Sequence, residues 1–227
     1  METVLITGAG RGIGLELARL FLEAGHRVIA THRGDEVPAA LQQLASRGTL
    51  EARALEVTEP GSVASLRGSL AGETLDLLIN NAGVLGERQG LEDMDYDAWL
   101  RAFEVNTLAP FRLALALREN LARAGRPRIV TLSSQMASLA RKSTGSYAYR
   151  SSKAAVNKVM QVLAVELESE GIIVCPVHPG WVRTDMGGPA ADISVDESAA
   201  GLFALIDTLT MEQSGRFWTW DGQEHAW

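Results

Sequence analysis

Tyr149 and Lys153 stand four residues apart in Tyr149-Arg150-Ser151-Ser152-Lys153, at the head of a long run of Ala, Val, Met and Leu with helical periodicity. Side chains at i and i+4 of a helix lie one above the other, so a phenol and an ammonium can act on one small volume. A free phenol has a pKa of roughly 10 and exchanges protons poorly near neutrality. A fixed cation beside it favours the phenolate and is expected to lower that value. Tyr149 is therefore a candidate general acid/base with Lys153 as its cation. The same spacing occurs in helices with no chemical role, so the rest of the chain must supply the surroundings of a site.

A second candidate lies near the start. Thr3-Val4-Leu5-Ile6-Thr7 reads as a buried strand, Gly8-Ala9-Gly10-Arg11-Gly12-Ile13-Gly14 as a glycine turn, and Leu15 to Leu22 as a helix. A strand feeding such a turn into a helix brings backbone N–H groups and a helix amino terminus against a phosphate. The absence of Gly-Lys-[Ser/Thr] excludes the nucleoside-triphosphate version of this loop.

The intervening chain alternates short apolar strands with helices: strands at Arg27–Thr31, Leu50–Val57, Leu75–Ile79, Arg128–Leu132, Ile172–Val177 and Arg216–Trp220, and helices at Val37–Ala45, Pro60–Leu70 and Glu197–Leu209. From Tyr96 to Ala124 the pattern is helical, with interruptions near Asn106 and Pro110. This alternation implies a single-domain, doubly wound α/β fold over residues 1–227, a mostly parallel sheet with helices on both faces. Ligands of such sheets bind beyond the carboxyl ends of the strands. Asn80-Asn81-Ala82-Gly83, Ser133-Ser134 and His178-Pro179-Gly180 all fall at such ends.

Composition excludes other classes. A formal charge of −7 argues against nucleic acid or an anionic membrane as partner. No apolar run approaches the ~20 residues that span a bilayer, and no basic leader opens the chain, so a cytoplasmic setting is expected. Cys175 is the only cysteine and lies in a strand, which suits a buried thiol in a reducing compartment. The four histidines are scattered, and no metal site is readable.

Taken together, Thr7-Gly8-x-x-x-Gly12-x-Gly14, Asn80-Asn81-Ala82-Gly83, Tyr149-x-x-x-Lys153 and Pro179-Gly180 resemble, in order and spacing, the short-chain dehydrogenase/reductase family over essentially the whole chain. Within that family, Ala30-Thr31-x-Arg33, Ser146-Tyr147-x-Tyr149-Arg150 and Gly180-Trp181-Val182-x-Thr184-Asp185-Met186 are most similar to the carbonyl reductase group that includes Sniffer and C-factor. The resemblance implies a nicotinamide-dependent oxidoreductase acting on a small carbonyl or alcohol substrate. In it, Tyr149 would protonate the carbonyl oxygen, Ser134 would hydrogen-bond the same oxygen, Lys153 would lower the phenol pKa and hold the ribose, and Asn106 would hold a water relaying protons to Lys153. The resemblance also implies cofactor contacts from Gly8, Arg11, Gly12, Ile13 and Gly14, from Asn80, Ala82 and Gly83, and from Pro179, Gly180, Val182 and Thr184. The alternatives are an NAD-dependent alcohol dehydrogenase and a non-catalytic dinucleotide-binding regulatory protein.

The cofactor itself is read from the end of the second strand. NAD-specific proteins of this fold place a carboxylate there for the ribose 2′-hydroxyl. That position is His32, followed by Arg33, and the glycine turn adds Arg11. Two guanidiniums converging on one region of an acidic protein suggest a phosphate, hence NADP(H). Finally, the helices at Leu108–Leu117 and Ala155–Leu167 carry more apolar surface than one sheet can cover, which predicts a homodimer or homotetramer. Trp218, Trp220 and Trp227 are expected to seal the last strand.

Overall fold

The computed structural model describes residues 1–86 and 90–227. Among these, seven strands form one wholly parallel sheet in the order β3-β2-β1-β4-β5-β6-β7. They are β1 (Thr3–Ile6), β2 (Arg27–His32), β3 (Leu50–Ala54), β4 (Leu77–Asn80), β5 (Arg128–Leu132), β6 (Ile173–His178) and β7 (Trp218–Thr219). The helices are α1 (Gly12–Glu23), α2 (Ala39–Leu44), α3 (Pro60–Ser69), α4 (Tyr96–Phe103), α5 (Ala109–Ala116), α6 (Arg118–Leu121), α7 (Tyr147–Leu167) and α8 (Val195–Thr208).

Strand side chains alternate between faces, and the two faces bury two separate cores. Val4 and Ile6 of β1 pack with Leu17 and Phe21 of α1, Leu41 of α2 and Leu202 and Ile206 of α8. Leu5, between them, packs on the other face with Val63 of α3, Leu113 of α5 and Val156, Met160 and Leu163 of α7. The doubly wound expectation holds, and the sheet is parallel throughout.

Local boundaries differ where tertiary context decides them. The expected final strand shrinks to two residues, because beyond Thr219 the chain turns back on itself through bonds such as Thr219 N to Gln223 O, 2.8 Å. The third strand ends at Ala54 rather than Val57. The long helical stretch is interrupted at Asn106 as expected, by a widened π turn over Glu104–Leu108. Pro110 does not break it a second time. Proline lacks the N–H that would bond the carbonyl four residues back, at Asn106, so one widened turn absorbs both features and α5 continues through Pro110. Cys175 is buried, and burial pushes its thiol up to about 12, as befits an inert strand residue. No helix of the described residues is long and apolar enough to cross a membrane.

Candidate active site

β1 delivers the glycine turn. Thr7 holds its first residue against β4, its hydroxyl accepting from the Asn81 and Ala82 amides at 3.0 Å each. The Asn81 amide donates to Thr7 O at 2.8 Å and Gly8 O at 3.0 Å. Gly8 takes φ +64°, and a methyl on Gly14 would lie 2.5 Å from Asn81 Nδ2 and 2.8 Å from Gly8 O. Only glycine fits this packing of turn against turn. The amino terminus of α1, from Gly12 and Ile13, has no capping side chain and no acid in its first turn. Its N–H groups are oriented as an anion site requires.

Asn80 ends β4, buried, with Nδ2 donating to Thr131 Oγ1 at 3.3 Å. Beyond it, Asn106 grips the Asn80–Val84 segment: Oδ1 accepts from Val84 N and Nδ2 donates to Val84 O, both at 2.9 Å, while Nδ2 also donates to Ser152 Oγ at 3.0 Å. Both Asn106 amide hydrogens are thus committed to protein. The side chain is a clamp between the β4 end and α7. Gly83 keeps the space beside it open, since a methyl there would sit 3.2 Å from Asn106 Oδ1 and 3.5 Å from Lys153 Nζ.

β5 delivers Ser133 and Ser134. Ser133 turns its hydroxyl to the α7 backbone, reaching Lys153 O at 3.5 Å. Ser134 faces the opposite way, toward the Tyr149 phenol, whose pKa it draws down. The choice of Ser134 over Ser133 therefore has a geometric reason in strand alternation. α7 starts from Ser146, which adopts a left-handed φ of +54°, the one non-glycine residue to do so among those described. Strain of this kind at a site entrance is held by its surroundings. Here Arg150 helps, its guanidinium donating to Gly145 O at 3.0 Å and Ser143 Oγ at 2.7 Å.

Tyr149 and Lys153 are both buried, with the ammonium 6.0 Å from the phenol ring centroid. Lys153 Nζ donates to Leu132 O at 2.6 Å and does not touch the phenol oxygen. Burial holds the Lys153 pKa down at about 8, so the ammonium still predominates at neutral pH. Tyr149 corrects the expectation from sequence: burial pushes its pKa up, and Ser134 only partly offsets this. The tyrosine rests as a neutral phenol, a proton donor rather than a ready base.

The loop after β6 closes the cleft from the far side. Pro179 O accepts from Ser198 Oγ at 2.5 Å, and Val182 bridges to Ile193. A methyl on Gly12 would lie 3.6 Å from Thr184 Cγ2, so this loop arches over the first turn of α1. The uncapped amides of α1, a buried phenol and a second hydroxyl lie at the carboxyl ends of the strands.

A family model described as short chain dehydrogenase matches residues 2–193. The chain belongs to the short-chain dehydrogenase/reductase family. It is 42% identical over 154 residues to the C-signal protein of Myxococcus xanthus, an overlap covering 67% of this chain and 93% of that protein. The solved structure of an NADPH-bound carbonyl reductase from chicken fatty liver matches with a TM-score of 0.94 and 33% identity, over 100% of this chain and 99% of that one. Carbonyl reductase Sniffer of D. melanogaster gives a TM-score of 0.94 and 31% identity over 100% of both chains. This family member is accordingly an oxidoreductase, and its resemblance to the carbonyl reductase group holds.

Two expectations about the enzyme's arginines part company. Arg33 lies exposed just beyond β2, after the buried His32. Arg11 pairs its guanidinium with Asp185 of the arching loop, both side chains largely exposed. Trp218 and Trp220 pack with the core beneath the last strand, as expected. Trp227 sets its ring 5.8 Å from that of the buried Phe217, directly before the strand, and its main-chain oxygen reaches across to the Ser134 loop, accepting from Ser138 Oγ at 3.1 Å and Ala140 N at 3.2 Å. Nothing local in the sequence announces that contact, which spans 89 positions.

Proposed function

We propose that residues 1–227 act as one NADP(H)-dependent oxidoreductase unit that reduces a small aldehyde or ketone to the alcohol. The observation that carries this reading is the buried Tyr149 phenol, facing Ser134 and followed one helical turn on by the buried Lys153, beside a glycine cradle. The nicotinamide of the bound cofactor supplies the hydride. Tyr149 gives its proton to the carbonyl oxygen as negative charge gathers there, and Ser134 donates a hydrogen bond to the same atom. Fixed donors aimed at a developing charge in a water-poor site are worth far more than in bulk water. Burial suits this direction of reaction, because it keeps the phenol protonated at neutral pH.

The residues present fit a dinucleotide. The uncapped α1 terminus and Gly8, Gly12 and Gly14 would take the diphosphate, with Asn80, Ala82 and Gly83 along one wall and Pro179, Gly180, Val182 and Thr184 along the other. Lys153, an ammonium without a carboxylate partner among the described residues, would hold the nicotinamide ribose. NADP(H) over NAD(H) is supported by the lack of a carboxylate at His32 and by Arg33 beside it, as well as by the NADPH in the chicken liver structure. Arg11 would join Arg33 by leaving Asp185, an exposed pair of the kind worth roughly 0–1 kcal/mol.

The partner expected for the outer faces of α4, α5 and α7 is a second copy of the chain. Leu100, Leu108, Leu115, Val162 and Val165 are exposed there, Leu100 at 67% and Val165 at 71%. A cytoplasmic setting fits the single buried thiol. The test of the catalytic reading is a panel of aldehydes and ketones offered with NADPH, following loss of cofactor absorbance. Turnover by the wild type that disappears in Tyr149→Phe with NADPH binding retained is the expected result. A Tyr149→Phe enzyme within tenfold of wild type would overturn it.

A further inference from the structure

Ser134 stands on a segment with little regular structure of its own. After β5 comes a single 3-10 turn, Gln135–Ala137, and then an irregular stretch to Ser146. Within the segment, Ser134 Oγ accepts from Met136 N at 3.1 Å and Ser134 O from Ala137 N at 2.9 Å. These bonds shape the turn without attaching it to anything. Among the described residues, every hydrogen bond that ties residues 135–142 to another part of the molecule ends on one atom, the Trp227 carbonyl oxygen. Its two donors are the buried Ser138 hydroxyl and the Ala140 amide.

Trp227 is itself well held. Residues 219–223 reverse the chain, Trp218 and Glu224 form an antiparallel bridge, and His225 N donates to Phe217 O at 2.7 Å. The Trp227 ring lies 5.8 Å from the fully buried Phe217 ring, and Trp220 N donates to His178 O at 2.8 Å. An unbroken chain of backbone bonds thus runs from the end of β6, just before Pro179 and Gly180, through β7 and the reversed segment to the loop that starts at Ser134.

We infer that Trp227 is a positioning residue for Ser134: its ring, anchored on Phe217, fixes the carbonyl that holds the 135–142 loop, and so sets where the second donor to the substrate oxygen stands. This rests on the assignment of Ser134 to the site, and the experiment separates the two. Trp227→Ala keeps the carbonyl but removes its anchor on Phe217, Trp227→Phe keeps an aromatic ring there, and Ser138→Ala removes one of the two donors.

Trp227→Ala is expected to lower kcat about tenfold, since misplacing a catalytic group by an ångström costs on the order of 10- to 100-fold. Its NADPH dissociation constant, measured by fluorescence titration, should stay within about twofold, and Trp227→Phe should recover at least half of kcat. Ser138→Ala should show a smaller loss of the same kind. The double variant should be no worse than Trp227→Ala, because both act through one contact. Amide exchange in residues 136–142 should quicken in Trp227→Ala. The alkaline limb of its pH–rate profile should move up, because a displaced Ser134 no longer draws the phenol pKa down.

Wild-type kcat in Trp227→Ala, or equal losses of NADPH affinity and kcat, would overturn the inference. A Ser134→Ala enzyme with full activity would instead remove the assignment of Ser134 on which it stands. If Trp227→Ala fails to fold, Ser138→Ala decides alone: unchanged kcat with unchanged exchange in 136–142 overturns the positioning role.

Discussion

The two halves of the sheet hold their parts of the site by different means. On the β1–β4 side, the glycine turn is bound to neighbouring strand ends by backbone groups and the short Thr7 and Asn81 side chains. On the β5–β7 side, the Ser134 loop is bound to the carbonyl of a residue 89 positions away. The first arrangement tolerates almost no change of residue and little change of shape, which suits one constant ligand. The second leaves the loop between Ser134 and Tyr149 free to vary while one anchor keeps the donor in register. A fold can hold its cofactor with backbone and adapt to its substrate with loops.

The largest effect should come from the point where the halves meet. Tyr149→Phe removes a proton donor and almost nothing else, so kcat should fall by about 100-fold or more, with NADPH binding by titration nearly intact. Cofactor affinity that falls in parallel would mean the two halves are not separable. Next, Gly14→Ala presses a methyl against Asn81 Nδ2 at 2.5 Å. Overpacking of this kind costs roughly 1–3 kcal/mol, and NADPH should bind at least about tenfold more weakly, as read by calorimetry. Substrate KM at saturating cofactor should change little, the mirror image of the result expected for Trp227→Ala.

A smaller effect is expected at the phosphate end. Arg33→Ala should raise the NADPH KM about tenfold and leave NADH nearly untouched, eroding a preference of about 100-fold in kcat/KM. Arg11→Ala should do less, since its guanidinium must first leave Asp185. Steady-state kinetics with both cofactors measure this, and equal wild-type efficiency with NADH would remove the phosphate role from both arginines.

The smallest effect concerns His178, on the β6–β7 side. Burial holds its pKa down at about 4 against the usual 6.5, with His225 and Arg141 adding to the shift and Asp221 opposing it. Between those values the unfolded chain binds a proton that the native state refuses. The native state's advantage is therefore full above about pH 6.5 and is lost as the pH falls toward 4. The melting temperature should drop over that window, and less steeply in His178→Gln. Identical slopes for the two proteins would remove His178 as the cause.

The cofactor half was legible because its signals are local. A strand, a glycine turn and a helix start are adjacent in sequence, and steric demands at Gly8 and Gly14 leave only one residue type. Tyr149 and Lys153 were legible for the same reason, a helical spacing of four. Asn106 was recognised as a break in a helix, but not as a clamp, because its partners Val84 and Ser152 are distant in the chain. The two arginines were read as converging because sequence carries charge but not direction, and Asp185 competes for one of them.

Alternating apolar strands and helices, the glycine turn and the Tyr149–Lys153 spacing determined by themselves the doubly wound sheet and the residues at its carboxyl edge, since period and backbone sterics are properties of short stretches. Only the tertiary structure decided the state of those residues. Whether Tyr149 rests as phenol or phenolate depends on how deeply it is buried and on where Lys153 directs its ammonium, and both are set by packing across the sheet. The anchoring of the Ser134 loop by Trp227 is likewise a product of topology, because a main-chain oxygen gains such a role only from the donors that the fold brings to it.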